Sequence, residues 1–383
     1  MGGEEKLIML PGPTNVPTRI MKAMAKPIID HRSRDFHALY EKILKNLKYL
    51  FQTKNDVCTL TSSGTGGVEC AISNTTSLGD KVIIPTFGLF SERLKETVAS
   101  YGGTPIPVPA EWGKCTSMDS IERAIDKNRD AKAIAIVYNE TSTGVTFRDL
   151  PKLGKIAEKN NLLLIVDAVS IMGGDELPTD KWSVDICITG VQKCLACPPG
   201  LALISVSEKA WHVIEETKNK HVYYFDLTKY REYGEKEETP FTPSLPLFYA
   251  LDEALKMICE EGLENRIDRH RICARAFYNA VEALKLQPLA DEEFRSNTII
   301  AIKNPRGVDD KKLNQIMEDK HHILIAGGQG KLKGSIHRIG NMGTVSEREV
   351  TATIVALEKT LKEVNYPVEP GSGTNAARKT FSQ

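Results

Sequence analysis

Leu162-Leu163-Leu164-Ile165-Val166-Asp167-Ala168-Val169-Ser170 reads as five apolar residues running into an acid and then into small residues. An unbroken apolar run of this length, without polar alternation, suits a strand covered on both faces, as in a parallel sheet. Outward from it the same texture recurs at Val57 to Thr61, Val82 to Pro85, Ala133 to Tyr138, Ile186 to Thr189 and Leu201 to Val206. Helical stretches separate several of these strands, for example Ser91 to Ser100 and Leu153 to Asn160, and residues 34 to 51 carry helical periodicity through Phe36, Tyr40, Ile43, Leu47 and Leu50. Strands alternating with helices predict an α/β fold, a mainly parallel sheet covered by helices on both faces.

Near residue 240 the texture changes. Pro240, Pro243 and Pro246 punctuate an extended connection, and a single long helical stretch is expected from Phe248 to about Leu284. Strands at Thr298 to Ile302, Ile323 to Ala326 and Ile336 to Ile339 and a helix from Ser346 to about Val364 follow, the pattern of a smaller α/β domain. The expected organisation is a segment over the active site at 1–20, a large domain at 21–250, a small C-terminal domain at 251–366 and a disordered tail at 367–383, rich in Gly, Ser, Thr and charge. At 383 residues the chain is long enough for two such cores.

The bulk numbers exclude several classes. Lys and Arg number 50 and Asp and Glu number 50, so there is no basic excess for nucleic acid. No apolar run approaches a membrane span. The polar start, Met1 to Lys6, has no signal-peptide core, and a cytoplasmic location is expected. Eight cysteines then read as free thiols. Cys194 and Cys197 have redox spacing, against which stands the plainer reading of small residues beside a turn.

Three segments at strand ends carry chemistry. Ser62-Ser63-Gly64-Thr65-Gly66-Gly67 joins a strand to a helix, and exposed amides there with the helix dipole attract a phosphate. It is neither the dinucleotide fingerprint nor the P-loop, and glycine-rich turns of this kind are also common without a ligand. Asp167 ends its strand where open α/β sheets bind ligands. A buried carboxylate needs a partner, which a protonated pyridine nitrogen would be; the segment alone equally suits a helix cap or a loop anchor. Lys193 stands in Thr189-Gly190-Val191-Gln192-Lys193-Cys194, ahead of Pro198-Pro199-Gly200. A lysine in a cleft can form an imine with an aldehyde once its pKa falls, although a lone lysine is ordinarily a solvated surface residue.

Taken in this order, the chain resembles the class V aminotransferases of the fold-type I pyridoxal-phosphate superfamily. It is most similar to alanine–glyoxylate and serine–pyruvate aminotransferases, archaeal members especially. The likeness runs from Leu10-Pro11-Gly12-Pro13-Thr14 to Arg338-Ile339-Gly340. It is most specific at Asn139-Glu140-Thr141-Ser142-Thr143-Gly144, at Asp167 to Ser170 and at Gln192 to Gly200.

The resemblance implies pyridoxal 5'-phosphate as cofactor, no metal, and Lys193 as the residue that holds the cofactor as a Schiff base and moves the substrate proton. Asp167 then pairs with the ring nitrogen, Val169 and Phe90 pack on the ring, and Ser142 and Gln192 touch the ring or its phenolic oxygen. Ser63, Gly64 and Thr65 hold the phosphate, with Thr242 reaching in from a second subunit of a homodimer that shares its active sites. Thr239 stands where the animal enzymes have a further phosphate-binding tyrosine. Arg338 grips the substrate α-carboxylate, and Gly12 lies over the site.

The function implied is transfer of an amino group between alanine or serine and glyoxylate or pyruvate. A broad-specificity aspartate aminotransferase is the alternative, with His31 and Arg32 as candidates for a second carboxylate. A cysteine desulfurase shares the fold, but that family stacks a histidine and carries a His-Lys pair where this chain has Phe90 and Gln192-Lys193. A nicotinamide dehydrogenase lacks its fingerprint here. A non-enzymatic binding protein would tolerate loss of Lys193 or Asp167, and both are present.

Overall fold

The computed structural model describes residues 6–217 and 221–383, so the first five residues of the expected 1–20 segment lie outside the described ones. The sheet contains β1 (Asp56–Thr61), β2 (Lys81–Thr86), β3 (Thr104–Pro109), β4 (Ala133–Val137), β5 (Leu163–Asp167), β6 (Ile186–Gly190) and β7 (Leu201–Val206). Their spatial order is β1-β7-β6-β5-β4-β2-β3. β7 runs antiparallel to both its neighbours, and the other pairs are parallel.

The apolar runs explain this sheet. Side chains alternate across a strand, so Leu164 and Val166 of β5 enter the core on one face, while Leu163 and Ile165 enter the core on the other. Both faces are covered by helices, which is why the runs show no polar alternation. β3 is the strand that apolar patterning does not reveal. Its sequence Thr-Pro-Ile-Pro-Val-Pro carries prolines that cannot donate to a ladder, and it sits at the sheet edge with β2 as its one neighbour.

The long helical stretch is two helices, Leu245–Glu261 and Leu263–Ala283, interrupted at Gly262, whose φ of 83° leaves the helical region. The domain boundary expected at 250/251 falls inside the first of them. Core membership changes instead along the second: Ile267 joins the core under the sheet, whereas Cys273 and the residues after it join the C-terminal core. Ile323 to Ala326 divides likewise. Ile323–Leu324 pairs with Leu7–Ile8, and Ala326–Gly327 pairs with Ile336–Gly340, which is flanked on its other side by Ile299–Lys303.

The tail expected to be disordered is helical over Ser372–Phe381. Glu358 caps its start, accepting from the amides of Gly373 at 2.7 Å and Thr374 at 3.0 Å, where helix dipole and free N–H groups favour an anion. Gly373, Ala377 and Thr380 are buried, and Asn279 donates to the Thr380 hydroxyl at 2.8 Å. Small residues make the segment look unstructured by composition, yet they are what lets this helix pack closely on Leu263–Ala283. Among the described residues no helix is long and apolar enough to cross a membrane.

Candidate active site

Three chain turns meet at the C-terminal ends of β1, β5 and β6, where an open α/β sheet offers a crevice. The cleft there has a volume of about 710 Å³. Ser63, Gly64, Thr65, Phe90, Asp167, Val169, Gln192 and Lys193 line it, together with Asn139, Thr141, Ser170 and Arg93. Residues as far apart as Ser63 and Lys193 are thus brought together because each stands at or just past the end of a strand of one sheet.

Ser63 caps the helix Gly64–Thr75, accepting from the Gly66 amide at 3.2 Å. The Gly64 and Thr65 amides open the helix, with no acceptor available one turn back. Gly64 is required by a close approach: a Cβ there would meet Val169 Cγ2 at 2.8 Å. Phe90 is half-buried, and the guanidinium of Arg93 lies 5.0 Å from its ring centre.

Asp167 is the last residue of β5 and accepts from the Val169 amide at 2.9 Å. Burial pushes its carboxyl up to about 6, helped by the Glu140 charge and opposed by the Val169 amide and Lys193. Burial also brings the Lys193 amine down to about 8, and the Arg338 charge adds to this. The amine donates to the Pro11 carbonyl. Gly12 beside it has φ +105°, where L side chains are strained, and a Cβ there would meet Lys193 Nζ at 2.5 Å, so a larger residue would displace the lysine. The Gln192 Oε1 atom is buried without a hydrogen-bond partner, an acceptor available to a ligand.

Arg338 is 4 % exposed and stands beside the cleft rather than in its wall. Its Nε and Nη2 donate to the Gly327 carbonyl at 3.0 and 2.9 Å, and its Nη1 donates to the carbonyl of the cleft residue Thr141 at 3.1 Å. No carboxylate among the described residues lies within ion-pair distance of it. Burial draws its pKa down to about 10, and it remains a cation at neutral pH. A buried guanidinium held only by carbonyls retains its affinity for a carboxylate.

Several expected residues are placed otherwise. Ser142 turns away from the cleft: its hydroxyl accepts from the Leu89 amide at 2.9 Å and donates to Glu140 Oε1 at 2.6 Å, and Thr141 takes the position on the wall. The hairpin of Asn139–Glu140 with Val145–Thr146 sets this alternation. Thr242 is exposed and does not reach the cleft of its own chain. Arg32 is engaged by Glu238 at 2.7 Å and the Thr239 carbonyl at 2.8 Å, away from the cleft, and His31 is also absent from the cleft wall. Cys194 and Cys197 are buried, and burial pushes both thiols up to about 12, which leaves almost no thiolate for redox exchange.

The reading of the residues did not single out Glu140. Its fully buried carboxylate accepts from the amides of Phe90, Ser91 and Ser142 at 3.2, 2.9 and 3.2 Å. These bonds tie the start of the helix Leu89–Ser100 to the Thr141 turn. An acid within an otherwise small and hydroxylated run was the available signal.

Asp167 gives a stability test. Its folded pKa is raised, so its contribution to stability is greatest below about pH 4 and is lost as pH rises through about 6. The shift from 3.8 to about 6 corresponds to at most about 3 kcal/mol, less where the cleft admits water. Asp167→Asn should therefore raise the melting temperature of the ligand-free protein at pH 7.5 and leave it nearly unchanged at pH 4. Equal melting at pH 7.5 would count against a strained carboxylate.

Comparison with known proteins agrees with this geometry. A family model described as aminotransferase class-V matches residues 11–345. An uncharacterized aminotransferase of Methanocaldococcus jannaschii is 44% identical over 378 residues, covering 98% of each chain. The serine–glyoxylate aminotransferase of Methylorubrum extorquens is 36% identical, with 97% of this chain and 94% of the relative covered. The crystal structure of the ureidoglycine–glyoxylate aminotransferase of Bacillus subtilis superposes with a TM-score of 0.94 at 30% identity over 100% of both chains. This chain belongs to the class V aminotransferases and is a transaminase that works with pyridoxal 5'-phosphate.

Proposed function

We propose that this transaminase moves an amino group between a small amino acid, alanine or serine, and a small 2-oxo acid, glyoxylate or pyruvate. The observation that carries the reading is the cation inventory of the site. Lys193 and Arg338 would serve an amine and one carboxylate, the further cation of the cleft wall, Arg93, lies against the Phe90 ring, and Arg32, the candidate for a second carboxylate, is engaged elsewhere by Glu238. The serine–glyoxylate and ureidoglycine–glyoxylate relatives share glyoxylate in their names, which supports the acceptor.

The residues suit the cofactor. The amides of Gly64 and Thr65 and the helix dipole would hold its phosphate, with the exposed Ser63 and Thr65 hydroxyls beside them. Val169 and Phe90 would enclose the ring between them, and the unpartnered Gln192 Oε1 would accept from a ligand donor. Bound pyridoxal phosphate supplies an electron sink for breaking the bond at the substrate Cα. Asp167, made uncomfortable by burial when alone, would gain a cationic partner at the ring nitrogen and keep it protonated. Lys193, neutral in an appreciable fraction, would remove the Cα proton and return it. Arg338 would orient the substrate through its α-carboxylate.

The test is kcat/KM on one preparation for alanine or serine with glyoxylate or pyruvate against aspartate with 2-oxoglutarate. The small pairs should be preferred. An aspartate preference of tenfold or more overturns this reading for the dicarboxylate one. Arg93, which lines the cleft against Phe90, would then be the cation to replace.

We also infer a homodimer with shared sites in the cytoplasm. Thr242 is exposed on the Pro240–Pro246 connection, and Tyr223, Ile28 and Met21 are 72, 67 and 51% exposed, apolar surface for a partner copy. Eight free thiols suit a reducing compartment. Sedimentation at assay concentration should find a dimer; an active monomer would contradict it.

A further inference from the structure

Glu261 ends one helix, and Arg266 and Arg269 stand three residues apart on the next, so that both guanidinium groups reach the same carboxylate. Arg266 Nη1 donates to Glu261 Oε2 at 2.7 Å, and Arg269 Nε donates to Oε1 at 2.6 Å. Each arginine also reaches a different segment through a further donor. Arg266, whose side chain is 3% exposed, donates through Nη2 to the Cys194 carbonyl at 2.5 Å, the residue after Lys193. Arg269 donates to the carbonyls of Gly343 at 3.0 Å and Val345 at 2.5 Å. That segment leaves the strand Ile336–Gly340, which carries Arg338. The two segments also touch: a Cβ on Gly343 would meet the Ala196 Cβ at 2.9 Å.

None of the three charged side chains lines the cleft. A buried ion pair is weak evidence of stabilisation, because apolar residues of the same volume often do as well or better. What apolar residues cannot do is bind the carbonyls of two particular segments at once.

We propose that Glu261, Arg266 and Arg269 are positioning residues, a strut in which one carboxylate locks the Lys193 turn and the segment following Arg338 at a set separation. The strut joins the large and C-terminal cores where the chain passes between them. Arg266 governs the placement of the reacting amine, and Arg269 governs the placement of the carboxylate-binding guanidinium. This rests on the roles given above to Lys193 and Arg338.

The two arms should therefore fail differently, which a merely structural role would not produce. Arg266→Lys keeps the charge facing Glu261 but loses the fork to the Cys194 carbonyl. Displacement of the reacting amine should lower kcat about 10-fold or more with KM within about twofold of the wild type. Arg269→Lys should instead raise KM for donor and acceptor, roughly 10-fold, with kcat within about twofold. Glu261→Asp shortens the shared anchor and should show both effects; it carries the test where a lysine variant does not fold. The measurements are steady-state kinetics with the wild type's best donor–acceptor pair, with cofactor content measured on the same preparations. Unchanged kcat and KM, or the same kcat-to-KM pattern in both arginine variants, overturns the strut. Borohydride mapping of the wild type separates the two failures: cofactor fixed to a residue other than Lys193 overturns the underlying roles, whereas cofactor on Lys193 with no split overturns the strut alone.

Discussion

Lys193→Ala should lower transamination at least about 10⁴-fold, the upper range for loss of a positioned general base and more where covalent attachment is lost with it. The fold has made this amine unusual. Burial lowers its pKa to about 8, while an ordinary lysine lies near 10.4. At pH 7.5 roughly a quarter of such amines are neutral, against about 0.1% of ordinary ones, so the nucleophilic form is abundant without an added base. The sign is testable in the stripped protein. Uptake of pyridoxal phosphate should accelerate with rising pH and level off just above pH 8, where the amine has lost its proton. Borohydride should then fix the cofactor to the peptide containing Lys193. Uptake that keeps accelerating to pH 10, or variant activity within tenfold of the wild type, would remove Lys193 from its role.

Replacing Arg338 by lysine should weaken binding of both the amino donor and the oxo acceptor, raising each KM roughly 10- to 100-fold, the worth of one or two charge-assisted hydrogen bonds. An ammonium keeps the charge but not the planar fork, and it cannot hold the Gly327 and Thr141 carbonyls together as the guanidinium does. Because Arg338 stands beside the cleft rather than in its wall, the visible absorbance of the bound cofactor should stay near that of the wild type. A lysine variant with unchanged KM would show that the α-carboxylate is bound elsewhere. Loss of the cofactor signal would instead give Arg338 a role in cofactor binding.

The two predictions differ in how far they could be read from the chain alone. Asp167 ends and Lys193 closely follows strands whose apolar runs are unmistakable, so their place at the C-terminal ends of neighbouring strands is a consequence of local pattern. Arg338 lies within a strand, yet nothing local tells a guanidinium bound by carbonyls from a surface arginine. Ser142 and Thr141 show the limit most sharply. They are neighbours of similar chemistry, and a one-residue step in a tight hairpin decides that Thr141 faces the cleft while Ser142 serves Glu140.

Patterning by itself determined the buried strands, because burial on both faces leaves an apolar run that no other element of that length produces, and it determined the order of phosphate turn, acid and lysine along the chain. Packing between distant segments decided the rest. The edge strand Thr104–Pro109 exists because β2 offers it a neighbour, not because its prolines favour a ladder. The helix Ser372–Phe381 exists because Glu358 caps it and Leu263–Ala283 receives its small face. The amine of Lys193 has a lowered pKa because the fold buries it, with Pro11 and Gly12 closing over it from some 180 residues away in sequence. Desolvation and hydrogen bonding depend on which groups meet in space, and that information lies in the tertiary contacts rather than in any window of sequence.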